Sequence, residues 1–298
     1  MTATTHLDSA IPSVLQRIVA TKREEVQAAS NKISLAELQA QVATDTRPRR
    51  GFANALRSAT LDTSFAKGIG IIAEIKQASP SKGIINHNFQ PSEFAVQYEQ
   101  AGASCLSVLT DRDYFKGDDS YLVQARAACQ LPVLRKDFMV DVYQIYQSYL
   151  LGADCILLIM ACLDDAQVQE LHALSIELGL DVLIEVHTAE ELVRALQLPR
   201  SDHNIYGINN RNLNTFEVNL QTTLDLKSSL LQALASGDNN EYLLKPLIVT
   251  ESGIHSAADI ELMLRHDIHH FLIGEQFMKT DHPGQALQSL LAGVSLSA

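Results

Sequence analysis

The sequence predicts an α/β protein, a closed (β/α)8 barrel carrying an N-terminal helical extension, and three observations predict it. From residue 70 onward, eight short apolar, β-rich runs recur at intervals of roughly 25–40 residues. Segments of helical period separate them, and the 298-residue length suits one large barrel better than one ordinary domain. Continuously apolar strands alternating with amphipathic helices imply a parallel sheet covered by helices. A count of eight favours a closed barrel over an open doubly wound sheet.

The elements follow in order. Over 11–43, Ile11, Leu15, Ile18 and Val19 recur at helical spacing, and Leu35, Leu38 and Val42 repeat the pattern after Ser34, which is placed to cap a second helix. The polar, basic stretch 44–51 with Pro48 reads as a loop, either a linker or a mobile lid, and Phe52, Ala53 and Leu56 open a further short helix. The extension thus covers 1–60 and the barrel 61–298, together one domain. The eight strands fall at 71–75, 104–109, 132–134, 155–159, 182–186, 205–208, 247–249 and 270–273. Helical segments between them include 91–101, 142–151, 165–178, 189–196 and 256–265. A polar stretch over 228–245, centred on Ser236, Gly237, Asp238, Asn239 and Asn240, reads as a surface insertion between the sixth and seventh units.

Composition narrows the function. With 46% hydrophobic and 19% charged residues the chain can bury a sizeable core, which excludes disorder as a description of the whole. Lys and Arg number 23 against 35 Asp and Glu, so 23 − 35 = −12, and the broad attraction to phosphate backbones that non-specific nucleic-acid binding needs is missing. A locally positive pocket for a small anionic substrate remains compatible with that balance. Cys105, Cys129, Cys155 and Cys162 form no CxxC pair and have no nearby His at metal-ligand spacing, so no disulfide framework or zinc site is expected. The longest apolar run, 155–163, has nine residues, short of the roughly 20 that span a bilayer, and residues 1–12 lack a signal-peptide layout. Buried thiols in a reducing cytoplasm, away from membranes, are the expectation.

In a barrel the chemistry sits where strands end. The first strand runs into Glu74 and Lys76, which alternation puts on one face. A barrel interior makes both costly without a partner, so they form either an internal salt bridge or a site where Lys76 meets an anion and Glu74 holds neighbouring cations. The third run ends in Arg135, Lys136, Asp137 and Phe138. A lysine there, lowered toward neutrality by desolvation or nearby cations, suits a general acid. Glu185 interrupts the apolar fifth strand and, raised by its surroundings, suits a general base, unless it is simply paired with an arginine. The residue after that strand, His187, reads as a loop residue. Asn209 and Arg211 follow the sixth strand as ordinary turn residues or as a hydrogen-bonding group and a carboxylate fork. Glu251, Ser252 and Gly253 follow the seventh and Gly274 the eighth, and glycines at these two ends let backbone N–H groups approach a phosphate.

Taken together, Glu74-Ile-Lys76-Gln-Ala-Ser79-Pro80-Ser81-Lys82-Gly83, Val108-Leu-Thr-Asp with Tyr114-Phe115-Lys-Gly117, Leu134-Arg-Lys136-Asp137-Phe138, Glu185-Val-His187, Gly207-Ile-Asn209-Asn-Arg211-Asn-Leu, Glu251-Ser252-Gly253-Ile and Ile273-Gly274-Glu275 resemble the indole-3-glycerol-phosphate synthase family in order and spacing. The resemblance covers 10–290. It implies a barrel with a helical extension, no metal or organic cofactor, and a small phosphorylated substrate. Beside it, the charge and hydropathy leave no nucleic acid or membrane expected as partner, and a monomer or weak homo-oligomer is the expectation.

The implied reaction turns 1-(2-carboxyphenylamino)-1-deoxyribulose 5-phosphate into indole-3-glycerol phosphate, carbon dioxide and water in tryptophan biosynthesis. By that resemblance Lys136 is the acid at the ketose carbonyl and Glu185 the base of dehydration. Lys76 binds anionic groups and assists departure of the hydroxyl, while Glu74, Asn209, Arg211 and Glu251 orient the lysines and ring substituents. Ser252, Gly253 and Gly274 match the phosphate end, Ser79 the carboxylate side, and Phe138 packs on the aromatic ring. Glu275 departs from the small residue expected beside the phosphate, and Asp118 and Asp119 lengthen the loop after Gly117. The competing readings are a barrel like phosphoribosylanthranilate isomerase, which rearranges without decarboxylation, and a non-catalytic barrel that binds a phosphorylated metabolite.

Overall fold

In the computed structural model of the chain, residues 13–61, 68–235 and 244–295 are described, so Ile11 and the centre of the expected insertion (236–243) lie outside them. Eight strands close into a ring: β1 (Gly70–Ile75), β2 (Cys105–Leu109), β3 (Val133–Lys136), β4 (Cys155–Ile159), β5 (Asp181–Val186), β6 (Asn204–Asn209), β7 (Leu247–Glu251) and β8 (His270–Ile273). Every neighbouring pair is parallel and β8 pairs back onto β1. The expected strands are all present, with ends shifted by no more than two residues. Two of those shifts matter: β3 runs through Lys136 and β7 through Glu251, so the barrel wall, not a loop, aims both side chains.

The extension consists of α1 (Ser13–Ser30), α2 (Leu35–Thr44) and α3 (Phe52–Leu61). Ser34 caps α2 through a full capping box with Glu37, as its position predicted. Val14, Leu15 and Ile18 of α1 face the C-terminal mouth of the barrel, and α2 packs along α6 (Val142–Leu151). The 44–51 stretch is no lid. Arg49 donates to the carbonyls of Tyr149 and Ala153, and Arg50 to those of Arg126, Cys129 and Leu131, groups that precede β3 and β4 at the opposite end of the barrel. There α3 plugs the floor: Phe52 and Leu56 are fully buried, and the Ala53 N–H donates to Asp181 Oδ2 at the start of β5.

The remaining helices are α4 (Pro91–Gln100), α5 (Asp119–Ala128), α7 (Asp165–Glu177), α8 (Ala189–Ala195), α9 (Gln221–Ala235), α10 (Ala257–Arg265), α11 (Glu275–Met278) and α12 (Pro283–Gly293). Asp118, Asp141, Asp164, Thr188 and Ser256 cap α5, α6, α7, α8 and α10, each side chain accepting from the first turn. Asp118 is therefore a helix start rather than added loop. The expected 228–245 surface loop needs a larger correction, because 228–235 is the second half of α9. Thr223, Leu226 and Leu230 form its buried stripe, and the serines between them face outward. Among the described residues no helix is long and apolar enough to cross a membrane.

Candidate active site

A cavity of about 230 Å³ opens at the C-terminal end of the barrel, and all twelve residues singled out from the sequence line it. Its floor is charged. Lys136 Nζ donates to Glu185 Oε2 at 3.0 Å and to Glu251 Oε2 at 3.4 Å, and Lys76 Nζ pairs with Glu74 Oε1 on the adjacent wall. The Glu74–Lys76 pair is thus the internal salt bridge of one reading, located inside the site of the other. Glu185 is paired with Lys136 and faced by His187, not by an arginine.

The electrostatics reverse two expectations. Burial works to lower the pKa of Lys136, but the carboxylates of Glu185, Glu251 and Glu74 outweigh it and hold the ammonium above its ordinary value. Desolvation would push Glu185 up, yet Lys136 and His187 hold it below the usual carboxylate range. Burial instead raises Glu251, with Lys136 opposing and Glu185 adding to the shift. The two carboxyl groups share Lys136, and these directions make Glu251 the one that holds a proton and Glu185 the one that stays ionised. The reason for the reversal is that the neighbours of Lys136 are anions, whereas the sequence reading had supposed cations or bare desolvation.

Two glycines make room for the carboxyls. A Cβ on Gly207, which lies opposite Glu185 in the β5–β6 register, would fall on Glu251 Oε1 and 3.0 Å from Leu183 Cδ1. A Cβ on Gly274 would fall on Glu74. Gly207→Ala should therefore push the Glu251 carboxyl off Lys136 and lower turnover about 100-fold, the scale of a 1 Å misplacement, while the barrel still folds. Measurement of kcat beside a thermal melt checks this, and an unchanged kcat would refute the spacing argument.

At the other side of the mouth, Ser252 and Gly253 both adopt left-handed backbone, with φ of 63° and 89°. Asn210 holds that turn: its Nδ2 donates to Thr250 Oγ1 and to the carbonyls of Glu251 and Ser252, and its Oδ1 accepts from Thr223. Asn209 accepts the Arg211 N–H, and the Arg211 guanidinium lies 3.9 Å from Glu275. Glu275 also pairs with Lys279 at 3.1 Å, so it organises cations at the rim. Ser79 lies in the short hairpin after β1, pairing with Gly83, and Phe138 lies 6.1 Å, centroid to centroid, from Phe115.

Sequence reasoning missed three contributions. Phe115 and the α1 residues Val14, Leu15 and Ile18 supply apolar wall. Their helical period was visible, but nothing in it says which end of a barrel the helix covers. His187 lies in the short loop after β5, as expected, but its side chain is buried against Glu185. Finally, Lys22 of α1 makes buried ion pairs with Asp137 Oδ1 at 2.9 Å and Asp111 Oδ2 at 3.1 Å. Alternation along β3 turns Lys136 inward and the residues on either side of it away, and Asp137, next to Lys136, anchors the helix that roofs the cavity.

Comparisons with known proteins agree with this architecture. Tryptophan synthase subunit alpha from Legionella pneumophila str. Paris superposes with a TM-score of 0.52 at 14% identity, over 80% of this chain and 96% of that one. KGPDC from Streptococcus mutans gives 0.53 at 10% identity over 76% and 97%. 3-Hexulose-6-phosphate synthase from Salmonella typhimurium gives 0.50 at 10% over 75% and 99%. At such identities the likeness is one of fold, a TIM barrel. The sequence profile of indole-3-glycerol phosphate synthase matches residues 15–290, nearly the whole chain and every motif around the cavity. The chain is therefore an enzyme sequence on a (β/α)8 barrel and belongs to the indole-3-glycerol phosphate synthase family.

Proposed function

We propose that the protein closes the indole ring of 1-(2-carboxyphenylamino)-1-deoxyribulose 5-phosphate with release of carbon dioxide and water, acting as a carboxy-lyase in tryptophan biosynthesis. The observation that carries this reading is the Lys136 ammonium held between Glu185 and Glu251 in a cavity that Lys76 also lines. As the ring carbon attacks the ketose carbonyl, Lys136 stabilises the developing oxyanion and passes it a proton, and the protonated Glu251 beside it is the reserve that restores the ammonium. Loss of carbon dioxide returns the electron pair to the ring. Lys76 protonates the departing hydroxyl, which leaves as water, and the ionised Glu185 removes the proton that completes the indole. Two protons enter and one leaves, which matches the one proton consumed when a carboxylate and a hydroxyl depart as carbon dioxide and water. Phe115, Phe138 and the α1 residues suit the aromatic part, and Arg211 with the Ser252–Gly253 turn suits the phosphate. The four free, buried cysteines favour a cytoplasmic setting.

Purified protein supplied with the carboxyphenylamino sugar phosphate should develop indole fluorescence and release one carbon dioxide per product. Binding without turnover would favour the non-catalytic barrel, and rearrangement without carbon dioxide the isomerase-like one.

A further inference from the structure

The two oxygens of Glu185 face different neighbours. Oε2 accepts from Lys136 on the cavity side, while Oε1 lies 3.4 Å from His187 Nε2, on a ring whose side chain is only 6% exposed and does not line the cavity. Behind the ring stands Glu191 of α8. Its Oε2 accepts the His187 backbone N–H at 2.7 Å and meets Nδ1 at 3.2 Å. Thr188 in turn accepts the Glu191 N–H at 3.2 Å, so the glutamate is fixed by the start of its own helix. A carboxylate can only accept, so Nδ1 is the donor. That leaves Nε2, which has no hydrogen-bond partner, aimed at Glu185.

We infer that His187, backed by Glu191, is a positioning residue that holds Glu185 ionised and turned so that its other oxygen faces Lys136 and the substrate. This rests on the reading of Glu185 as the base. The charges alternate along Glu191, His187, Glu185 and Lys136, each within ion-pair distance of the next. A helix cap alone would need only the backbone N–H of His187; the ring contact is additional to it.

The groups facing His187 are Glu185 on β5, Glu191 on α8, Lys136 on β3, and the Cys162 thiol of the turn after β4, which shares the two glutamates. Burial lowers the pKa of the ring and Lys136 adds to that, but Glu191 and Glu185 outweigh them, so the imidazolium persists to higher pH than in a free histidine. Burial pushes the Cys162 thiol well up, and it stays neutral. Removing the imidazolium therefore makes Glu185 easier to protonate.

The test compares kcat/KM against pH for the wild-type enzyme, His187→Gln, Glu191→Gln and the double variant, with folding checked by thermal melting. His187→Gln should move the acidic limb up by about one pH unit, a loss of about tenfold on the acid side of the profile. Glu191→Gln, by weakening the imidazolium, should move it in the same direction, and the double variant no further than His187→Gln. A limb unmoved in folded variants, or a uniform loss at every pH, would overturn the inference while leaving the ring-closing function intact. Should His187→Gln fail to fold, the limb of Glu191→Gln decides alone. A wild-type enzyme without carbon dioxide release would instead defeat the function itself, and with it this role.

Discussion

Replacing Lys136 by alanine should cut turnover by about 10² to 10⁴, the range of general acid catalysis, with the barrel still folded. The loss has two physical sources. The variant lacks the proton donor for the ketose oxygen, and it lacks the cation that bridges two buried carboxyls 3.0 and 3.4 Å away. Without that cation Glu185 has only His187 to hold it ionised, so its pKa rises and the base of the second half-reaction is impaired as well. Folding should survive because the lysine points into an open cavity, where water can replace the ammonium as a partner. Single-turnover indole formation beside a melting curve reads both consequences. Near-wild-type turnover would remove Lys136 from the chemistry.

The largest effect on stability is expected far from the reacting atoms. Lys22→Met leaves Asp111 and Asp137 buried without their shared cation, which should cost about 3–5 kcal/mol, the usual penalty for breaking a buried ion pair from one side. The pH dependence follows from both partners. Burial lowers the Lys22 pKa, but Asp137 and Asp111 outweigh it and raise it overall. Its contribution is therefore complete below the ordinary lysine value and is lost only as pH climbs through the raised one. Burial would raise Asp137, but Arg135 and Lys22 hold it low, so its contribution is present above the ordinary aspartate value and fades as pH falls through the depressed one. The deficit of Lys22→Met should thus be greatest near neutrality and shrink on acidification, when the stranded Asp137 carboxylate takes up a proton. Denaturant unfolding at neutral and mildly acidic pH measures this. A variant as stable as wild type at neutral pH would show that α1 is held by its apolar face alone. Turnover should fall too, since Asp137 adjoins Lys136 and α1 supplies Val14, Leu15 and Ile18 to the cavity.

Much of the fold was legible because barrel strands buried on both faces must be continuously apolar and their helices must be amphipathic, and both periods are written locally. Helix α9 was the exception: its serines and a following polar run imitate a loop, while its buried stripe of Thr223, Leu226 and Leu230 is spare. The site residues were equally visible as charges at the ends of apolar strands, where burial demands a reason for them. Their states were not. The carboxylates that meet Lys136 lie 49 and 115 residues further along the chain, so no local pattern reveals whether its neighbours are cations or anions.

By itself, then, the sequence determined the alternation of strands and helices, the family, and which side chains the strand ends present. Tertiary structure alone decided that Lys136 is raised and Glu185 depressed, that Glu251 is raised beside them, that His187 stands behind the base, and that α1 roofs the mouth while α3 seals the floor. The physical reason is range. Hydrophobic period is a property of neighbouring residues, whereas a pKa or an ion pair depends on distances between atoms that only closure of the barrel brings together.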